Sequence, residues 1–196
     1  MIMETQRRIP VIATLVVLVA VAIMIMLGFW QLDRKDQKEA LLARFAQAQA
    51  MSSDVAWPAA GADTTPVLYR HARVTCAAVL STRSIAGRSI RDEAGWAHVA
   101  RCRLAKGGEA DVALGWSRDP LSPAWQGGEV GGFIGPAGKG IKLVAAPAQA
   151  GLEQLAAPDP NDIPNNHLAY AWQWFIFAAT ALVIYALALR GRMRKP

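Results

Sequence analysis

Charge is scarce in this sequence, and the scarcity is uneven. Only 18% of the 196 residues are charged, 53% are hydrophobic, and the mean hydropathy is +0.20. That composition is too apolar for an ordinary soluble domain of this size. The missing charge is concentrated in two runs, residues 9–32 and 168–189, which contain no Asp, Glu, Lys or Arg. At about 1.5 Å per residue each run exceeds the roughly 30 Å hydrocarbon core of a bilayer, so each predicts a spanning helix. Histidine and cysteine are also few, three and two. A closed metal site built from imidazole and thiolate alone normally needs more donors. A nucleophile elbow and a glycine-rich phosphate loop are missing as well, so the sequence does not read as an enzyme.

What charge there is reports orientation. Between residues 33 and 167 there are 15 basic and 14 acidic side chains, whereas Arg7, Arg8, Arg190, Arg192, Arg194 and Lys195 leave the ends basic. By the positive-inside rule the expected arrangement is a cytoplasmic tail (1–8), a first span (9–32), a periplasmic α+β domain (33–166), a second span (167–189) and a second cytoplasmic tail (190–196). The sequence pI near 9.7 is then an orientation signal, and no nucleic-acid partner is implied. Ala48-Gln49-Ala50 mimics a signal-cleavage site. It lies beyond a charged stretch, however, and the apolar run before it is longer than a usual signal core, so a retained anchor is expected. The short segment before the first span leaves little room for a presequence, which favours a bacterial inner membrane.

After the first span, residues 33–47 are rich in Ala, Gln, Glu and Lys and predict a helical continuation. Leu41, Leu42 and Phe45 make only a short stripe on it, compatible with a solvated stalk or a packed one. Residues 50–66 read as a surface loop. Strands are predicted at 69–80, 96–104 and 109–116, the last two joined by a two-residue turn at Gly107-Gly108, with a third pair at 129–134 and 141–145. In 96–104, Ala100, Cys102 and Leu104 alternate with Val99, Arg101 and Arg103, giving one apolar and one mostly basic face. The expected fold is an integral membrane protein with two transmembrane α-helices flanking a small, mostly antiparallel β (α+β) domain. Cys76 and Cys102 lie in its strands and either pair or stay as buried thiols. His98 lies four residues from Cys102, so a copper-handling site on Cys76, His98 and Cys102 is a further, weaker reading.

The chemically informative stretch is 163–175, IPNNHLAYAWQWF. Asn165 or Asn166 can cap a helix that begins there, which puts His167 in its first turn at the membrane interface. A helix N-terminus is partially positive and favours the neutral imidazole, the form that binds metals. Tyr170, Ala171 and Trp174 follow at i+3, i+4 and i+7, an aromatic face with a small gap beside the ring. Trp and Tyr also gather at membrane interfaces for no functional reason. At the end of the first run, Gly28, Trp30 and Gln31 reach the same interface and offer a partner surface.

Gly28-Phe29-Trp30-Gln31, together with Asn165-Asn166-His167-Leu168-Ala169-Tyr170-Ala171 and Trp174-Phe175, resembles the paired terminal signatures of the Surfeit locus protein 1 family. Gly115-Trp116 is similar to that family's Arg-Gly-Trp-Val core, with Leu114 and Ser117 in place of the Arg and Val, and Arg101-Cys102 stands where Thr-Pro is usual. The resemblance implies a cytochrome c oxidase assembly factor that binds haem a or delivers it to oxidase subunit I, with haem a synthase a further partner. It implies His167 as the metal ligand. A cofactor site of His167, Tyr170, Trp172, Trp174, Trp30 and Gln31 follows, with Arg34 and Arg118 as partners for the propionates. A cofactor-free membrane scaffold for oxidase assembly is the alternative.

Overall fold

The computed structural model describes residues 10–194. The whole expected N-terminal tail (1–8) and Lys195, on which part of the orientation signal rests, lie outside them.

Helix α1 runs Val11–Ala50 and helix α2 runs His167–Arg194. Residues 11–32 and 168–189 of the charge-free runs are helical, as expected of segments whose backbone groups must pair internally in lipid. Large apolar side chains project outward from them: Ile12 is 81% exposed, Val11 73% and Ile184 62%. Water would penalise that surface heavily and hydrocarbon would not.

The two helices form an antiparallel pair. Packed positions on α2 fall at 167, 171, 174, 175, 178, 181, 185 and 189, mostly three or four apart and so on one seam, and Ala171 and Ala178 are buried in it. Gly28 on α1 is buried against Phe175, and a Cβ at that position would collide with the phenyl ring. The Phe29 ring meets Phe175 edge-on at 5.5 Å. Toward the other end of the pair the Thr14 and Tyr185 hydroxyls hydrogen-bond across the seam.

Residues 42–162 form a separate compact unit. Its five strands are β1 (His71–Arg88), β2 (Ala94–Leu104), β3 (Glu109–Ser117), β4 (Gly128–Ala137) and β5 (Gly140–Ala145), closed into a barrel in the order β1-β2-β3-β5-β4. All pairings are antiparallel except β3 with β5. Closure depends on the length of β1, whose first part pairs with β4 and whose later part pairs with β2. The expected strand at 69–80 covered only part of it, because residues 81–88 are mostly polar or small and carry only two β-branched side chains, Thr82 and Ile85. The expected two-residue turn is longer: Gly107 N–H bonds the Leu104 carbonyl, Leu104 N–H bonds that of Gly108, and residues 105–108 make the connection.

The barrel interior is filled largely by small and branched residues, among them Ala72, Val74, Ala100, Val112, Leu114, Ile134 and Leu143. At Gly132 a Cβ would overlap the Val144 carbonyl, so only glycine lets β4 approach β5 there. Val99, expected on a basic outer face, is 1% exposed and packs with Ala97, Ala113, Trp116, Val144 and Leu155. The chain after β5 covers that patch by bridging Glu153 to Trp116 and Leu155 to Ser89. Alternation marks the two faces of a strand but not what later covers them. The apolar stripe at the end of α1 is also packed: Phe45 is 6% exposed with its ring 4.8 Å from that of Tyr69, and Gln49 Nε2 donates to the Pro158 carbonyl at 2.9 Å.

Candidate functional site

Asn166 contributes the first α2 backbone acceptor, its carbonyl taking the Tyr170 amide at 3.2 Å, and His167 is the first helical residue. Half-buried, the ring lies at the seam, where its Nδ1 is 2.8 Å from Gln31 Oε1 on α1. The two terminal signatures, 136 positions apart in sequence, thus meet through a side-chain hydrogen bond. Nε2 of His167 has no hydrogen-bond partner among the described residues. Two positions earlier, Asn165 Oδ1 is buried and also lacks a hydrogen-bond partner among them.

The six site residues divide by exposure. Gln31, His167 and Trp174 occupy packed positions of the helix pair. Trp30 (48% exposed), Tyr170 (51%) and Trp172 (62%) are exposed at the same ends of the helices. The small gap expected beside the ring is closed, because Ala171 is 1% exposed and Phe175 packs onto Gly28. Arg34 lies 5.5 Å from the Trp30 ring centroid and donates to Gln37 at 3.0 Å, and Arg118 in the barrel is paired with Glu93 at 2.9 Å.

Polar clusters in the barrel are built differently. Cys76 and Cys102 form a disulfide with Cα atoms 5.3 Å apart, which removes both thiolates that the copper reading required. His98 is fully buried; its Nε2 lies 2.8 Å from Ser117 Oγ, and its Nδ1 is 3.0 Å from Ser84 Oγ and 3.1 Å from Ser122 Oγ. Ser117 and Ser84 direct their own protons to the carbonyls of Asp119 and Pro120. His98 Nε2–H consequently donates to Ser117, and its Nδ1 accepts from Ser122. Burial holds the His98 pKa below its ordinary value, against the opposing pull of Asp119. The imidazole is a neutral tether for residues 117–122. Asp111, also nearly buried, is pushed up by burial but held below the usual carboxylate range by Arg83 at 2.6 Å and Arg101 at 3.0 Å. A cleft of about 690 Å³ lined by Trp57, Arg73, Arg101, Glu109, Asp111 and Glu129 has its arginines already paired with its acids.

Two apolar helices joined at one end by an imidazole–amide contact, with a small disulfide-bonded barrel encoded between them, define an integral membrane protein with an uncommitted imidazole nitrogen on its helix pair. The SURF1 family model matches residues 18–179, and the chain belongs to that family. It is a family of assembly factors associated with cytochrome c oxidase. No curated protein matches the chain. The match begins within α1, crosses the barrel and ends within α2, so it embraces the end signatures and the divergent middle alike.

Proposed function

We propose that the protein binds haem a on its helix pair during oxidase assembly and passes it to subunit I. The observation that carries this reading is the placement of His167: half-buried at the helix seam, anchored through Nδ1, with Nε2 uncommitted. An imidazole nitrogen of that kind supplies one axial position to haem iron. The surroundings fit such a cargo. Trp30, Tyr170 and Trp172 offer exposed aromatic surface on the same ends of the helices, Asn165 Oδ1 is an acceptor without a donor, and lipid accommodates an isoprenoid tail. Since the seam is closed at Gly28, the macrocycle is accommodated on the outer surface, where it remains accessible for transfer. Haem a synthase, as the source of such cargo, and a periplasmic placement of the barrel in a bacterial inner membrane belong to the same reading.

The test is co-expression with haem a biosynthesis, followed by absorption spectroscopy of the detergent-purified protein. A haem a spectrum that is lost in His167→Ala supports the proposal; a protein that purifies colourless, or a spectrum indifferent to the substitution, contradicts it. The exposed aromatic surface equally suits a cofactor-free scaffold docking onto oxidase helices. That second reading predicts oxidase co-purification unaffected by His167→Ala.

A further inference from the structure

We propose that Gln31 is a positioning residue that fixes the tautomer of His167, so that Nε2 is the atom offered to a metal; this rests on the haem reading above for its purpose but not for its geometry. An amide oxygen only accepts, so the 2.8 Å contact to Gln31 Oε1 requires the proton to sit on Nδ1 of the neutral ring. The lone pair is then on Nε2, which no described residue engages. Free imidazole side chains favour the opposite tautomer, in which Nε2 carries the proton and cannot ligate. In metalloproteins a ligating histidine generally donates its other ring N–H to a fixed acceptor, and removing that acceptor weakens metal binding by about 10- to 100-fold.

The acceptor here comes from the other helix. Gln31 is half-buried, and Gly28, about one turn before it, leaves room for the Phe175 ring of the other helix. Helix packing and donor readiness are thereby coupled: only when α1 and α2 are paired is the imidazole held with Nε2 bare. Hydroxyl contact between Thr14 and Tyr185 pins the opposite end of the same pair.

The experiment uses the full chain in detergent micelles with ¹⁵N-labelled histidine. Two-bond ¹⁵N–¹H correlation of the haem-free protein reports the tautomer of each of His71, His98 and His167, and His167→Ala assigns the resonance. Wild type is expected to show His167 protonated at Nδ1. Gln31→Met, which keeps length and loses the acceptor, is expected to shift it toward the Nε2–H form, and Gln31→Glu, which keeps an acceptor oxygen, to restore Nδ1–H. Protonation at Nε2 in wild type, or an identical tautomer in Gln31→Met, overturns the inference.

A haem a titration forms the second arm. Gln31→Met is expected to bind about 10-fold or more weakly than wild type, with Gln31→Glu binding and showing a lower midpoint potential. Equal affinity in wild type and Gln31→Met overturns the positioning role. Failure of wild type to bind while the tautomer responds to Gln31 instead contradicts the haem reading and upholds the geometry.

Discussion

His98 shows how a residue's surroundings decide its role. In sequence it is a polar residue four positions from a cysteine; in the barrel it is an imidazole with no exposure and three serine neighbours. Replacing it with Leu removes the ring's hydrogen bonds to Ser84, Ser117 and Ser122 and is expected to cost about 1–3 kcal/mol, measured by chemical denaturation of the purified protein. Its pH dependence has a definite sign. The folded pKa lies below the ordinary 6.5, so the contribution is complete above that value, and stability falls as pH drops and the unfolded chain takes up the proton first. Asp111 acts in the same direction at lower pH, its folded pKa being below the ordinary 3.8. Melting temperature is therefore expected to decline between roughly pH 7 and 5, and less steeply in His98→Leu. A decline of equal steepness in both proteins would assign it elsewhere.

Among elements, the helix pair was more legible than its contacts. Two charge-free runs suffice to predict α1 and α2, and the cap signals placed His167 in the first turn of α2, where it is the first helical residue. Gln31 and His167 were both recognisable as polar residues at one interface, but their hydrogen bond depends on the register between helices, which neither helix encodes alone. Thr14 and Tyr185 carried a similar hint, hydroxyls within apolar runs that hydrocarbon leaves to find each other, and sequence reasoning passed over them. Four strands of the barrel were legible from alternation and turn residues. The full β1, the parallel β3–β5 pairing and closure were not, because they arise from long-range pairing. Packing at Gly28 gives a test on this scale. Gly28→Leu is expected to destabilise the helix pair by about 1–3 kcal/mol, followed by thermal unfolding in detergent. Adding Phe175→Ala should recover part of the loss, since the two side chains would compete for one space; strictly additive losses would show that they do not.

At the scale of the molecule, the barrel and the helix pair have separate sources of stability. The barrel closes on a core of small side chains, which limits the apolar area it buries and gives the cross-link between β1 and β2 added weight. Cys76 and Cys102 are 26 residues apart, and a loop of that size stabilises by about 3 kcal/mol when closed covalently. Cys76→Ser with Cys102→Ser is expected to lower barrel stability by about that amount in denaturant titrations, while leaving the His167 tautomer unchanged if the helix pair is independent. The proposed haem a binding rests on the helix pair and on one nitrogen atom, Nε2 of His167. Titration of haem a into the detergent-solubilised full chain tests that most directly: one equivalent bound by wild type and none by His167→Ala is the predicted result, and equal uptake by the two proteins, or uptake by neither, would contradict it.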